Sequence, residues 1–285
     1  VAVIVAESTQ VTIYDGDDPA MPMWMVFNHN DSGTTMLGRG DVDATSVSAE
    51  NSILCIGSSG TSYGTLSIIN FVSEECTIDF ANAYTRTGGV VQRNNNGQKM
   101  YANGNPAIVN MHVNDIAMTV LPNAPIDSAT GLPIPTIAVA TNGGVSVIKD
   151  DGSVVDITNG TTSLVAFVSF TDDDRILAGV DAGVGAKWIQ IFDIPNGDVA
   201  YGFSAAPNNI YDSYEGSGIN RLMLTPKSSV VNSLISGGGL AHAGATEGLG
   251  IGTLNPVEVG VQNDNMVTHI TKDYNTGYMV GDIKL

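Results

Sequence analysis

Residues 136–158 read TIAVATNGGVSVIKDDGSVVDIT. Three short apolar stretches, TIAVAT, VSVIKD and VVDIT, alternate with two polar breaks, Asn142-Gly143-Gly144 and Asp151-Gly152-Ser153. Asn-Gly and Asp-Gly reach positive φ at little cost, so both breaks read as tight hairpin turns. The stretch is therefore expected to form a three-stranded antiparallel meander. Alone it would be a hairpin pair; repeated, it would be the unit of a larger architecture.

It does repeat. Residues 53–80 carry ILCIGS, LSIINF and CTIDF, and residues 175–203 carry RILAGVD, WIQIFDI and VAYGF, each with Gly-, Asn- or acid-rich breaks. A further β-like segment precedes each trio: TSVSA at 45, DIAMTVL at 115 and LVAFVSF at 164. Four strands recurring roughly every 40 to 50 residues is the pattern of propeller blades. Weaker copies flank these three. AVIVAE, VTIYD and MWMVF lie at 2–27; INRLMLT, SLISGG, LAHAGA and GLGIGTL lie at 219–254; VTHITKD and GYMVGDI near the end read as half a blade. That half needs a partner for its edge, and the strands near Val1 to Tyr14 are the expected one. The expected fold is thus all-β: a single β-propeller domain over 1–285, with five to seven four-stranded antiparallel blades, six preferred, closed by pairing N- and C-terminal strands.

Composition agrees. The 285 residues include 33 Gly and 11 Pro, 43% are hydrophobic and only 14% charged, so the chain can bury a core but is poor in helix formers. No stretch sustains a 3.6-residue period. A formal charge of −18 repels nucleic-acid phosphates and anionic membranes, and no apolar run reaches the ~18 to 20 residues of a membrane-spanning helix. Two cysteines, Cys55 and Cys76, exclude a disulfide framework or a Cys-based zinc cluster; they lie close enough in the first meander to be bridged, but buried free thiols are the default. The chain starts VAVIVAESTQ without Met and stops at GDIKL inside a strand-like pattern, as a piece of a longer polypeptide would.

Two polar, Asn- and Gly-rich stretches break the pattern, 81–112 and 204–218, and read as long loops at one end of the ring. Loops on a rigid scaffold are where binding usually resides. Tyr84, Arg86, Tyr101, Tyr211 and Tyr214 lie there among amides and acids, the mix that contacts sugars or protein surfaces. Ordinary loop packing explains them equally well. Asp15, Asp17 and Asp18 are the best of several acidic turns for calcium, which needs several oxygen ligands, though none has the spacing of an EF-hand loop and Asx turns account for them more simply. Asp150-Asp151 and Asp172-Asp173-Asp174 invite the same comparison. Arg39-Gly40-Asp41 matches an adhesion tripeptide but occurs readily by chance in such loops. His29, His112, His242 and His269 have no partner at metal-ligand spacing, and no nucleophile elbow or phosphate loop occurs. No catalytic residue is assigned, although carboxylates from different blades could meet.

Three stretches carry a family resemblance: VTIYDGDDPAMPMWMVF (11–27), LPNAPIDSATGLPIPTIAVATNGGVSVIKDDGSVVDIT (121–158) and ITKDYNTGYMVGDIKL (270–285). They resemble the β-propeller region of tail-fibre and other virion structural proteins of tailed bacteriophages, mainly marine or aquatic. The resemblance implies a virion location, a structural or host-recognition role without catalysis, and partners among other virion proteins and a host-surface glycan or protein. Several copies, as in a homo-oligomer, would add avidity. It identifies no ligand and no cofactor. Two other roles compete with it: a glycan-degrading propeller enzyme of a virion, and a secreted or periplasmic binding propeller.

Overall fold

A computed structural model describes residues 1–29, 33–40, 42–61, 64–80, 82–128, 130–158, 164–181, 187–200, 209–212, 231–237, 240–245, 248–253 and 267–271. The described residues form five sheets, with strands antiparallel to their neighbours in all but one pair and no α-helix. The first sheet joins β1 (Ala2–Glu7), β2 (Gln10–Asp15) and β3 (Met23–Asn28). The second joins β4 (Asp43–Glu50), β5 (Ile53–Ser59), β6 (Gly64–Asn70), β7 (Glu75–Asp79), β8 (Ala83–Arg86) and β9 (Met100–Ala102). The third runs through β10 (Val113–Thr119), β11 (Thr136–Thr141), β12 (Gly144–Ile148) and β13 (Val154–Thr158). β14 (Leu164–Phe170), β15 (Ile176–Asp181) and β16 (Lys187–Phe192) come next. After β17 (Val199–Ala200), β18 (Asn209–Asp212) completes their sheet; β19 (Val231–Gly237), β20 (Leu240–Ala245), β21 (Gly248–Thr253) and β22 (Val267–Thr271) form the last. The chain divides into two compact units, Val1–Asp156 and Ile157–Leu285, the boundary falling within β13.

The stretch 136–158 folds as its alternation predicts, into β11, β12 and β13. Its first turn is a two-residue Asn142-Gly143 hairpin, in which the Thr141 hydroxyl donates to the Gly144 carbonyl at 2.9 Å and accepts the Gly143 N–H at 3.1 Å. The second is longer than expected: residues 149–153 link the strands, closed by a Lys149 N–H to Ser153 carbonyl bond of 2.8 Å.

Three expectations are corrected. The "loop" at 81–112 supplies β8 and β9, which extend the second sheet to six strands. In the fourth sheet VAYGF is not the closing strand: Val199 and Ala200 pair parallel with Ile157 and Thr158, and Asn209–Asp212 pairs with β16 instead. VTHITKD does not begin a half blade either, because Val267–Thr271 is the fourth strand on β21. GYMVGDI, and with it the expected pairing of the chain ends, lies outside the described residues, as does INRLMLT.

In the first unit the central strands of the six-stranded sheet, β5 and β6, are buried on both faces. The sheet's registers put Leu54, Ile69 and Cys76 on one face and Cys55, Ile68 and Thr77 on the other. The first face packs with Val11, Ile13 and Phe27 of the first sheet and with Met36 and Leu37 of its connection. The second packs with Val113, Ile116, Ile137 and Val139 of the third sheet. Each such side chain contributes about 1.5–3 kcal/mol by leaving water. The two thiols are therefore buried in different cores and are free, so the bridge the sequence allowed is absent.

The four sheets after the first repeat one irregularity. A register shift interrupts the pairing of strands one and two at Ala44/Ser46, Val113/Asp115, Val165/Phe167 and Val231/Ser233, always near the start of the first strand. Such bulges sharpen strand twist. Two of them meet: the Thr45 hydroxyl donates to the Val113 carbonyl at 2.7 Å, and Ser46 Oγ donates to Asp115 Oδ1 at 2.8 Å while accepting the Ile116 N–H at 3.2 Å.

In the second unit β15 is apolar and buried from Ile176 to Ala178, with Ile191 and Phe192 buried on β16. The turn before β15 is built by Thr171, whose hydroxyl accepts the Arg175 N–H, and by an Arg175–Asp173 ion pair of 2.7 Å.

Close approach of the sheets depends on missing side chains. A Cβ on Gly64 would stand 2.3 Å from the Met111 carbonyl oxygen and 2.8 Å from the His112 Cα, both main chain. Gly64→Ala is therefore expected to lower unfolding free energy by about 2–3 kcal/mol in thermal or urea melts. Gly97→Ala, with open space around its Cβ, should lose only about 1 kcal/mol of left-handed strain.

Candidate functional site

The sequence candidates of the first unit lie on the β8–β9 ribbon. Its register pairs Tyr84 with Ala102, Thr85 with Tyr101 and Arg86 with Met100. Tyr84 and Arg86 therefore share one face and Tyr101 takes the other, so the two tyrosines are not brought together. Tyr101 is 57% exposed. Tyr84 is half-buried and stacks on Phe80 with centroids 4.8 Å apart and planes 5° apart. The Arg39 guanidinium covers the same Phe80 ring at 5.0 Å. Arg39 of the adhesion-like tripeptide is thus engaged in packing, and Asp41 lies outside the described residues.

Arg86 is not a surface ligand. It is 2% exposed, and its guanidinium donates to the carbonyls of Gln92 and Asn95 at 2.8 Å each and of Thr87 at 3.3 Å. Its Nε has no hydrogen-bond partner among the described residues. Three carbonyls from one connector replace the water a buried guanidinium would lose, so Arg86 organises segment 87–99. Burial lowers its affinity for its proton, while the neighbouring Cys76 offsets this in part. Burial also pushes the Cys76 thiol up to about 12, so no reactive thiolate arises there. Tyr211 lies on β18 opposite Ile189; Tyr214 lies outside the described residues.

Asp15, Asp17 and Asp18 are each engaged locally, Asp17 with the Val1 ammonium. Asp15 Oδ1 accepts the Asp17 N–H at 3.0 Å, and Asp18 Oδ1 accepts the Ala20 N–H at 2.8 Å. These are Asx turns that shape the β2–β3 hairpin. Asp151 does the same for Ser153 at 2.8 Å. No group of three or more His, Cys, Asp or Glu able to hold a metal occurs among the described residues. His112 pairs through Nδ1 with Ser59 Oγ at 3.1 Å.

What the sequence could not single out is a buried carboxylate junction between the second and third sheets. Asp79 ends β7, is 5% exposed, and accepts the Ile108 N–H on Oδ2 at 3.0 Å. The next residue, Val109, donates its N–H to Ser146 Oγ at 2.8 Å, and that hydroxyl donates to Asp156 Oδ1 at 2.6 Å. The connecting segment 108–109 is thus held between two carboxylate-bearing strands. Asp79 Oδ1 has no hydrogen-bond partner among the described residues. Burial, opposed by the Ile108 bond and reinforced by the Asp156 charge, raises the Asp79 carboxyl to about 6. Asp79 and Asp156 feel each other's charge across segment 108–109, and Asp79 is shut from solvent.

Comparison with known proteins adds little. No family model matches the chain, and no curated protein matches it. Among solved structures it is similar to a chain of the Chaetomium thermophilum polycomb repressive complex 2, at 12% identity and a TM-score of 0.42 over 88% of this chain and 44% of that one. It is similar to the extracellular domain of a putative hybrid two-component system of B. thetaiotaomicron, at 12% identity and TM-score 0.43 over 98% and 33%. A protein of unknown function from Bacteroides caccae gives 9% identity and TM-score 0.42 over 96% and 74%. The chain spans less than half of the first two, and nothing below rests on these likenesses.

Two outcomes follow from the geometry. The folded state holds the Asp79 proton more tightly than an unfolded chain with an ordinary carboxyl. Its contribution to stability is therefore complete below about pH 4 and is lost as pH rises through about 6, a change on the order of 2–3 kcal/mol. Asp79→Asn should be near neutral at pH 4.5 and stabilising at pH 7.5 in paired melts. Arg86→Met should speed amide hydrogen exchange across 87–99 by about tenfold or more, leaving β5 and β6 protected.

Proposed function

We propose that this chain is a propeller-type structural protein of a tailed-phage virion, from a tail fibre, spike or surface component, that holds contact surfaces for host recognition on a rigid platform. The five consecutive sheets are read as blades of a ring of five to seven, six preferred, closed by pairing of the two chain ends. The observation that carries this reading is the shared bulge at the start of four successive sheets. It marks them as copies of one unit, each of which must stack on a neighbour to bury its faces. The resemblance to virion proteins supplies the setting: its most specific stretch, 121–158, contains β11 to β13, the meander that sets the repeat. The surface charge of −18 suits a particle exposed to salt water and to other particles.

Catalysis is not part of the proposal. Asp79 and Asp156 serve as a joint between sheets, and Asp79 is only 5% exposed. Recognition by several copies requires only weak contacts multiplied by avidity.

Mass spectrometry of purified particles that carry this gene, with gold-labelled antibody fragments against the chain, tests the reading. The chain is expected in stoichiometric amounts, with label at the tail or on another outer component. Its absence from particles that remain infectious would sink the virion reading.

A further inference from the structure

Most large apolar side chains of the first unit are consumed by the stacked cores. One cluster is not. Trp24 and Met23 are each 62% exposed; Met21, two residues before Met23, and Val72, next to Phe71, are exposed as well. Trp24 leans on Phe71 with centroids 6.1 Å apart, and Phe71 meets the fully buried Phe27 at 6.4 Å. The Arg93 guanidinium lies over that Phe27 ring at 5.8 Å and donates to the Val90 carbonyl beside Val91. The indole is therefore anchored to the core while showing most of its surface to water.

The backbone beneath it is unusual too. β3 is the edge of its sheet. Its far end is capped: Val26 O accepts Arg93 Nε at 2.5 Å and Asn94 Nδ2 at 3.1 Å, and the Asn28 N–H donates to Asn94 Oδ1 at 2.7 Å. No such cap covers Met23 and Trp24 among the described residues. There the register slips, Tyr14 facing Met23 and Ile13 facing Met25, so Trp24 stands in a bulge. An exposed apolar edge is an aggregation hazard that proteins normally blunt with charge. Here the blunting stops where the apolar residues begin.

Charge says what covers it. The connections on either side carry exposed acids: Asp15, Asp17 and Asp18 between β2 and β3, where Asp17 pairs with the Val1 ammonium, and Glu74 and Glu75 where β6 gives way to β7. Residues 1–85 contain one Lys or Arg, Arg39, and it lies on Phe80. Arg93 is spent on two carbonyls. A second copy of this chain would bring the same acidic rim and be repelled, and an acidic glycan or anionic lipid would fare no better. Exposed Trp and Met provide the anchor pocket edge that protein partners use most.

We propose that Trp24, Met23, Met21 and Val72 form a docking surface for a basic, apolar-anchored polypeptide segment of another protein. Apolar side chains of that segment pack on the indole and thioethers while its Lys or Arg residues face the Asp15–Asp18 and Glu74–Glu75 rims. This goes beyond the virion reading and holds in any setting where the chain meets such a partner.

The test uses the full chain with Trp188→Phe, so that Trp24 is the remaining indole, and three capped synthetic peptides alternating Lys/Val, Glu/Val and Lys/Ser. The Lys/Val peptide is expected to blue-shift Trp24 emission and to lose about tenfold in affinity between low and high salt; Glu/Val and Lys/Ser should do neither. With labelled Lys/Val peptide, Trp24→Ala/Met23→Ser should abolish the anisotropy change. Asp15→Asn/Asp18→Asn, which keeps both turn acceptors and the Asp17 ion pair, should weaken it without altering the melt. Equal binding to Trp24→Ala/Met23→Ser would reveal general charge attraction and overturn the proposal. So would a Trp24 shift with neutral oligosaccharides but not with the Lys/Val peptide.

Discussion

The central strands of the six-stranded sheet, β5 and β6, have no solvated face, and the rest of the first unit is arranged around this constraint. Strand alternation normally gives a sheet one apolar and one polar side. β5 and β6 are apolar on both, with Leu54, Ile56 and Ile69 turned one way and Cys55 and Leu66 the other. Such a sheet cannot exist alone in water, because roughly half its apolar area would remain exposed. The first and third sheets are the covers, and each is in turn incomplete without it. Gly57 shows how close the approach is: a Cβ there would come within 2.5 Å of Val113 Cγ1. Sequential meanders stacked face to face follow from that mutual dependence.

Apolar burial is not directional, so it does not fix how far one sheet slides over the next. The polar contacts do. Thr45 and Ser46 sit in the β4 bulge and reach the Val113 carbonyl and Asp115 in the β10 bulge. At another point Asp79 and Asp156 hold the main chain of Ile108 and, through Ser146, of Val109. Two anchor points at different heights leave one register. Asp79 carries an energetic cost for this above about pH 6, which the Ile108 bond offsets only in part. A buried polar group that specifies an arrangement at the expense of stability is a known trade.

How much was legible in the chain depended on how local the determining physics was. β11 to β13 were readable because alternation, length and Asn-Gly turn chemistry all act within a few residues. The all-β class and the serial meanders followed from the same signals. β8 and β9 were not readable: AYTR and MYA are too short to show a period, and what makes them strands is pairing with β7 plus a buried arginine tying down residues 87–99. Arg86 looked like a surface group because nothing local says that its charge meets three carbonyls. The closing strand of the fourth sheet was misread at VAYGF for a like reason. A two-residue strand has no intrinsic preference, and Val199 pairs where Ile157 is available. The acidic turns were read correctly as Asx turns because that chemistry spans two residues. The carboxylate junction was invisible, since Asp79 and Asp156 are 77 positions apart in the sequence and meet only through sheet stacking.

The same distinction locates where contact with other molecules belongs. Regular strands in a stacked architecture spend both faces on their neighbours, so side chains free to bind must come from departures from regularity. The bulge at Trp24 is such a departure, and it lies at a sheet edge rather than in the long polar stretches that the sequence pointed to. Parts of the first of those stretches are tied inward: segment 87–99 is held by Arg86, and Tyr84 is stacked on Phe80, while Tyr101 remains exposed. Polarity of sequence therefore misdirects here, because a polar connector wrapped around a buried guanidinium is framework. An aromatic residue in an apolar strand, by contrast, becomes surface once a one-residue slip turns it outward. With exposed acids in the connections on either side, a docking surface there would discriminate by charge before any close contact forms.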